Sequence, residues 1–262
     1  MSKHLFTLVD LVNQAIGRGA WAIEIVTEGS FVTLQDDAPA TFADFADLEN
    51  DLSIELHRDG QRLSAELRAG EMSRASEHGS TGWTGTRVGL TTAIVNRGAL
   101  RDVLSTICVF HPSLSIIFDG EDLSQPRGLA GAVAREVGGE RLHPHPLRFA
   151  GNRDRIQVDV AVQWRTRSGV IRGFVNQREC SGHHVSGFER GLVRAVARPD
   201  INDPVLSELL LPGLVAVVAV EHPRRCSIAG DDIASVVAEI THLGLGVHRR
   251  VLDHILDLRS LN

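Results

Sequence analysis

The sequence predicts an α+β protein made of two units. Segments with the apolar spacing of helices alternate with segments of strand character along the whole chain. A helix that ends on glycines begins a new series of elements near Gln125. With 262 residues, the chain can bury one large core or two modest ones. We therefore expect one unit at residues 1–124 and a second at residues 125–262.

The first unit is expected to begin with an amphipathic helix. In TLVDLVNQAIGRG the apolar residues recur at helical spacing, and Asp10 and Gln14 lie on the adjoining polar side. Strands, a hairpin with Asp59 and Gly60 at its tip, a helix that ends before Pro112 and a last strand should follow. The segments are, in order, WAIEIV, SFVTLQ, LSIELHRDGQRLSAELRAG, RVGLTTAIV, RGALRDVLSTICVFHP and LSIIFDGED.

The second unit is expected to begin with the helix RGLAGAVAREVGG. An alternating segment then predicts a second hairpin whose chain turns at residues 151–155 and again at 165–169. A helix, a buried strand and one or two closing helices complete the unit. Their segments are VSGFERGLVRAVARP, LLPGLVAVVAVEHP and DDIASVVAEITHLGLGVHRRVLDHILDLR.

Composition indicates an ordinary cytoplasmic protein without a membrane segment. The mean hydropathy is −0.01, and 43% of the residues are hydrophobic. The first residues lack the pattern of a signal peptide, and the longest apolar run is interrupted at Pro212. The three cysteines are odd in number and widely spaced, which predicts neither a disulfide framework nor a Cys-x-x-Cys metal site.

The basic residues are unusual in type and distribution. Lys3 is the only lysine, so chemistry that needs an interior lysine on a phosphate is not expected. Residues 127–198 carry 13 basic and 6 acidic side chains, whereas the segments on either side are acidic. This pattern fits a nucleic-acid or acidic-partner surface, or charge complementarity within the molecule. Several arginines of the second hairpin and the next strand are expected to share one face: Arg148, Arg153, Arg155, Arg165, Arg167, Arg172 and Arg178.

Three segments of the second unit resemble, in order, the transducer domain of the DNA gyrase B / topoisomerase IV B family. LHPHPLRFAGNRDRIQVDVAVQW has the family's leucine-His-Pro before a hairpin that ends in a Gln-Trp pair. FVNQRECSGHHVSGFERGL resembles its Phe-x-Asn stretch, the glycine-histidine run and the Gly-Phe that opens a helix, and LPGLVAVVAVEHP resembles the strand that follows. The resemblance implies a fold like the second domain of ribosomal protein S5.

The first unit resembles the GHKL (Bergerat) ATPase domain of the same family, a two-layer α/β sandwich. TLVDLVNQAIGRG is similar to the family's first ATP-site helix, which implies a general-base position at Asp10 and a Mg²⁺-ligand position at Gln14. VTLQDDAPA resembles the motif whose aspartate bonds the adenine amino group, here Asp36. TGWTGTRV resembles the strand that places Gly85 and Thr86 beside the adenine pocket.

Several parts of the family pattern are altered. Aspartate replaces the family's glutamate at Asp10, and glutamine replaces its asparagine at Gln14. The sequence Ala38-Pro39-Ala40 replaces a glycine-arginine-glycine turn, and the short segment ATFADFADLEND stands where the family inserts a glycine-rich ATP lid. RRCSIAGDD, after the last strand, lacks the family's lysine for the γ-phosphate. The family's N-terminal arm and the domains beyond the transducer are also not expected in this chain.

The resemblance and these departures together imply a gyrase B-like pseudo-ATPase. We expect a non-catalytic regulatory or scaffolding module that is not an enzyme. Its partner should be a gyrase-type subunit or a second copy of itself in a homodimer. No metal or other cofactor is expected, with ATP and Mg²⁺ as ligands only if the nucleotide site survives, and Asp10 and Gln14 should be solvated rather than catalytic.

Other functions and sites remain open at this level. The chain could be an ATP-binding component of a type II topoisomerase, or a DNA-binding accessory protein that uses the arginines. A zinc site at His143 and His145, or at Cys180, His183 and His184, would lack spaced ligands. The resemblance instead implies that His184 is a structural residue of a turn.

Overall fold

The computed structural model describes residues 3–48, 50–91, 96–197, 203–223 and 229–260. The chain divides into two compact units, Met1–Pro126 and Arg127–Asn262. The end of the predicted strand RVGLTTAIV and the start of RRCSIAGDD, with Cys226, lie outside the described residues.

The first unit combines a nine-stranded sheet with two α-helices and one 3₁₀ helix, counted over its described residues. In chain order these are α1 (Lys3–Gly17), β1 (Ala22–Glu28), β2 (Phe31–Asp36), the 3₁₀ helix (Phe42–Phe45), β3 (Leu52–Arg58), β4 (Gln61–Arg68), β5 (Glu71–Met72), β6 (Ser76–Ser80), β7 (Gly85–Thr91), α2 (Arg97–Phe110), β8 (Ser115–Phe118) and β9 (Glu121–Asp122).

The sheet of the first unit runs in the order β5-β4-β3-β7-β2-β1-β8-β9, and β6 pairs with β4. One face packs on α1 and α2 in a single core that includes Leu11 and Ile25. The other face is polar, because alternate strand residues point away from the helices. Glu24, Gln35 and Arg87 are aligned across neighbouring strands on that face. The two-layer α/β arrangement that the resemblance implied is therefore confirmed.

The second unit has a five-stranded sheet and five α-helices among its described residues. In chain order these are α3 (Gly128–Val137), β10 (Leu147–Arg153), β11 (Ile156–Trp164), β12 (Val170–Val175), β13 (Arg178–Glu179), α4 (His183–Val196), α5 (Asp203–Leu210), β14 (Leu214–Glu221), α6 (Gly230–Gly246) and α7 (Arg249–Ser260).

The second sheet corrects the expected hairpin at residues 165–169. Its order is β10-β11-β14-β12-β13, so β14 separates β11 from β12. Strand β12 pairs in parallel with β14, while β11 pairs with β14 in antiparallel orientation. The reason lies in β14 itself, whose first seven residues are all apolar and buried. A strand of this composition is stable in the centre of a sheet, where neighbours satisfy both of its edges.

A second core lies between one face of this sheet and α4 to α7. Val160 of β11, Val218 of β14 and Phe188 of α4 are fully buried in it. Helices α4 and α6 approach closely at small residues: a Cβ atom on Gly187 would lie 2.4 Å from the carbonyl oxygen of Ala234. Helix α5 was not predicted, since its eight residues make only two turns. No helix within the described ranges has the length and apolar character needed to cross a bilayer.

Candidate functional site

The structure brings the predicted nucleobase residues together where β2 and β7 pair. Asp36 ends β2, and its backbone is aligned with Thr86 of β7. The N–H of Ala38 donates a 2.9 Å hydrogen bond to Oδ1 of Asp36. The Thr86 hydroxyl donates to the carbonyl oxygen of Ala38 at 3.1 Å. These bonds hold the turn after β2 in one conformation and fix the Asp36 carboxylate.

The second oxygen of Asp36 is bonded by a residue that the sequence reasoning missed. Arg18 follows the last residue of α1, and its Nη2 donates to Oδ2 of Asp36 at 2.9 Å. The guanidinium also lies over the ring of Phe45, 5.4 Å from the centroid. The side chain of Asp36 is 0% exposed and that of Arg18 is 14% exposed. The sequence does single out Arg18, because it is the only lysine or arginine between Lys3 and Arg58.

Burial dominates the electrostatics of this pair. Desolvation raises the pKa of Asp36 to about 6, although Arg18 and the Ala38 N–H both favour the carboxylate, and Asp37 adds a smaller upward effect. Nε and Nη1 of Arg18 are buried without a hydrogen-bond partner among the described residues. The ion pair is thus enclosed, and the guanidinium satisfies only part of its hydrogen-bonding capacity.

The space beside Gly85 is filled by Trp83. A Cβ atom at Gly85 would lie 2.1 Å from the carbonyl oxygen of Asp36 and 2.3 Å from Cζ3 of Trp83. The indole in turn stacks on His57, with ring centroids 4.2 Å apart. His57 is buried, and its Nδ1 lies 2.9 Å from the Thr81 hydroxyl. An aromatic layer therefore lies directly against the glycine that was predicted to border the adenine pocket.

The predicted catalytic side chains lie on α1. Asp10 and Gln14 are both half-buried. The carboxamide oxygen of Gln14 is buried and has no hydrogen-bond partner among the described residues, so the expectation that Gln14 is solvated is wrong for this atom.

The connection between β2 and β3 offers little to a phosphate. It contains the 3₁₀ helix, whose Phe45 is buried in the first core. At its N-terminus the backbone N–H and the hydroxyl of Thr41 both donate to Oδ2 of Asp44, at 2.7 and 3.1 Å. Residues 37–51 include five acidic side chains and no glycine, lysine or arginine. Phosphate sites use glycine-rich backbone, cations or helix N-termini. This connection therefore presents neither glycine-rich backbone nor cations to a phosphate, and the Asp36 carboxylate is enclosed.

Two of the predicted arginines do share one face of the second sheet. Arg148 of β10 and Arg172 of β12 lie in one row across the sheet, through Ala161 and Val217. Each makes two hydrogen bonds to a neighbouring carboxylate, at 3.1 and 2.7 Å from Arg148 to Asp159 and at 2.8 and 2.7 Å from Arg172 to Glu179. These pairs neutralise the positive charge locally.

The other predicted arginines lie elsewhere. Arg153 pairs with Glu239 of α6, on the opposite face of the sheet from Arg148. Arg165 donates to the carbonyl oxygen of Glu136 at 2.7 Å. Arg167 pairs with a glutamate, and Arg155 lies in the β10–β11 turn with a positive φ. Because six of the seven predicted arginines are divided in this way, the set does not form one continuous basic surface, and a role in binding DNA or a partner stays a prediction.

The two histidines near Cys180 are the first residues of helix α4, and the side chain of His183 is exposed. His184 is buried, and a Cβ atom on Gly173 would lie 2.2 Å from its Nε2. Burial lowers the pKa of His184, which favours the neutral ring. Within the described parts of the chain, no group of three or more His, Cys, Asp or Glu side chains is arranged to hold a metal ion.

Comparisons with known proteins agree with this fold. Residues 128–224 match the family model described as DNA gyrase B. The 43K ATPase domain of Thermus thermophilus gyrase B matches with a TM-score of 0.79 and 19% identity, over 98% of this chain and 88% of that one. The B-subunit of DNA gyrase from Myxococcus xanthus matches with a TM-score of 0.77 and 18% identity, over 97% and 93%.

A more distant ATPase shares the same architecture. The MutL ATPase domain of Aquifex aeolicus matches with a TM-score of 0.56 and 13% identity, over 90% of this chain and 97% of that one. At these identities the solved structures establish the fold alone, and the predicted fold, an α/β sandwich of GHKL type, is confirmed. The predicted resemblance is thus confirmed as well: the chain carries a DNA gyrase B family segment at residues 128–224 and, over nearly its whole length, the fold of gyrase B ATPase domains.

Proposed function

We propose that this protein is a gyrase B-like pseudo-ATPase, a non-catalytic regulatory or scaffolding module that does not hydrolyse ATP. One observation carries the proposal: the Asp36 carboxylate is 0% exposed and is already bonded by Arg18 and by the Ala38 N–H. By resemblance, this carboxylate is the group that would recognise adenine. A carboxylate with no accessible surface cannot accept a hydrogen bond from a ligand.

The residues at the positions that would contact a triphosphate, by resemblance to the family, support the same proposal. Hydrolysis of a nucleoside triphosphate requires charge neutralisation and a well-placed water. Residues 37–51 add negative charge where a triphosphate would need donors and cations. Asp10 and Gln14 also differ in length from the glutamate and asparagine of the family pattern. Misplacement by about 1 Å costs on the order of 10²-fold in rate.

A protein partner is the class of partner we propose. The matched Myxococcus xanthus protein is a B-subunit of DNA gyrase, that is, one subunit of a larger assembly. Both units here have well-packed cores, although the nucleotide residues are altered. A gyrase-type subunit or a second copy of the chain is therefore the proposed partner, and light scattering of the purified protein tests the second case.

One alternative has an observation in its favour. The fold is that of gyrase B ATPase domains over 98% of this chain, which supports an ATP-binding component of a type II topoisomerase. This alternative requires that Arg18 and Trp83 move when nucleotide binds.

Thermal unfolding with nucleotide separates the two functions. We expect no rise in Tm with Mg·ATP or a non-hydrolysable analogue up to several millimolar, and no phosphate release above the blank. The Thermus thermophilus gyrase B ATPase domain, in the same assay, serves as the positive control. A Tm that rises with nucleotide concentration would contradict the proposal and favour the topoisomerase component, because a ligand that binds only the native state stabilises it by mass action.

A further inference from the structure

We propose that Arg18 is an autoinhibitory latch, a tethered internal ligand of Asp36 whose displacement opens a site for a planar group with N–H donors. The ligand class is an amino-substituted heteroaromatic ring or an amidinium-type cation. The inference rests on the proposed function, because it explains how the same site is kept closed.

Asp36 has the properties of a recognition group. One oxygen is held by a backbone donor, the Ala38 N–H, and its position is therefore fixed by the fold. The other oxygen faces Arg18 and accepts a bond from a side chain. A fixed, desolvated carboxylate oxygen favours partners that present N–H groups in a plane.

Arg18 occupies this site in the manner of a flat ligand. Nη2 of its guanidinium bonds Oδ2 of Asp36, and the guanidinium lies over the ring of Phe45. The backbone N–H of Arg18 bonds the carbonyl oxygens of Gln14 and Ala15, so the residue is attached to the end of α1. The latch is therefore one side chain whose backbone is held by hydrogen bonds at the end of α1.

The fit of Arg18 is incomplete. Nε and Nη1 of Arg18 are buried without partners among the described residues, and so is the carboxamide oxygen of Gln14. Buried polar groups that lack hydrogen bonds cost free energy, since their bonds to water are lost on folding. A planar donor that bonds Oδ2 of Asp36 without leaving such N–H groups unpaired can therefore replace the Arg18 guanidinium.

Chemical rescue of Arg18→Ala tests the latch. Wild-type and variant proteins are heated at pH 7.5 with methylguanidinium, adenine or methylammonium at low millimolar concentrations. We expect the Tm of Arg18→Ala to rise by several degrees with methylguanidinium or adenine, and the Tm of wild type to stay unchanged or fall. Methylammonium has the same charge as methylguanidinium but no planar fork, and should not rescue.

The double variant Arg18→Ala/Asp36→Asn identifies the group that binds the probe. It should lose the rescue, because the carboxamide replaces the charged acceptor. Equal Tm shifts in wild type and Arg18→Ala, or no shift in a folded Arg18→Ala protein, would overturn the latch. If Arg18→Ala does not fold, Trp83→Ala provides the second variant: it removes the cover over Gly85 and leaves the ion pair in place. It should bind neither probe while Arg18 remains, and a Tm that rises with either probe in this variant would overturn the latch.

The outcomes of the two experiments are distinct. Nucleotide binding by wild type would contradict the pseudo-ATPase proposal. A wild type that binds no nucleotide, together with an Arg18→Ala protein that binds no planar donor, would contradict only the latch.

Discussion

Asp36 shows how burial and a neighbouring charge oppose each other at a single residue. Arg18 lies within hydrogen-bond distance and favours the ionised carboxylate, yet the pKa of Asp36 is raised to about 6, because burial removes the carboxylate from water. Two charges, Arg18 and Asp37, act on it from the neighbouring segments. The residue therefore titrates within a range of pH in which most aspartates are fully ionised.

This pKa predicts a specific dependence of stability on pH. The folded protein binds the Asp36 proton more tightly than the unfolded chain, whose ordinary pKa is 3.8. The stability that Asp36 contributes is therefore present below about pH 4 and is lost as the pH rises through 6. Asp36→Asn cannot ionise. We expect the free energy of unfolding of wild type, relative to Asp36→Asn, to fall by up to about 3 kcal/mol between pH 4 and pH 7.

Urea unfolding followed by circular dichroism measures this difference at several pH values. Asp154→Asn is the matched control, because the Asp154 side chain is 76% exposed. If the free energy of unfolding of wild type relative to Asp36→Asn stays constant or rises between pH 4 and pH 7, the pKa of Asp36 is not raised.

Single residues also mark the limit of prediction from sequence. Asp36 and Thr86 were placed in the same region by resemblance, and the structure brings them together. Arg18 was treated only as part of a helix segment, since no local pattern links it to a residue 18 positions later. Long-range pairs of this kind depend on the packing of the whole unit.

At the level of elements, helices α4 and α6 show how small residues determine a close approach. Gly187 and Gly191 are one turn apart on α4 and face Ala234 and Ala238 of α6. Without side chains at the two glycines, the helix backbones come close enough for direct contact. The distance between the two helices leaves no room for a methyl group.

This packing predicts opposite effects for two glycine substitutions. Gly187→Ala would place Cβ 2.4 Å from the Ala234 carbonyl oxygen and should destabilise the protein by about 1–3 kcal/mol. Gly246→Ala, at the end of α6, meets nothing within 4 Å and should be neutral or slightly stabilising. Denaturant unfolding of both variants tests this, and equal effects would show that the close approach does not limit stability.

Elements with strong periodicity were predicted well, and topology was predicted less well. Helices α2, α4 and α6 and the β3–β4 hairpin follow patterns that are local in the chain. The position of β14 between β11 and β12 does not follow from a local pattern. Strand order depends on which strand edges require a hydrogen-bonded neighbour from elsewhere in the chain. The apolar run of β14 was itself a sign of a central strand.

At the scale of the whole molecule, several arginines of the basic segment are paired with carboxylates of the same chain. The net charge is −6, yet the segment 127–198 is strongly basic. Arg148 and Arg172, which lie in one row across the second sheet, each make two hydrogen bonds to a carboxylate. Of the interpretations left open by the sequence, these pairs favour charge complementarity within the molecule.

This arrangement predicts weak binding to DNA. We expect no retention of duplex DNA at physiological ionic strength, because paired arginines release few counterions from phosphates. The double variant Asp159→Asn/Glu179→Gln frees both arginines and should bind more tightly at low salt, with a steeper salt dependence. Filter binding across a salt series measures both. Strong retention by wild type at physiological salt would favour the DNA-binding alternative.

The central position of β14 also has a consequence for the order of events during synthesis on the ribosome. Strands β11 and β12 are made first, but each gains its shared neighbour only when residues 214–221 have left the exit tunnel. Until then, a nascent chain exposes the edge of β11 that β14 will cover. Such an edge invites premature association with other chains, and co-translational chaperones would have their greatest effect on this protein during that interval.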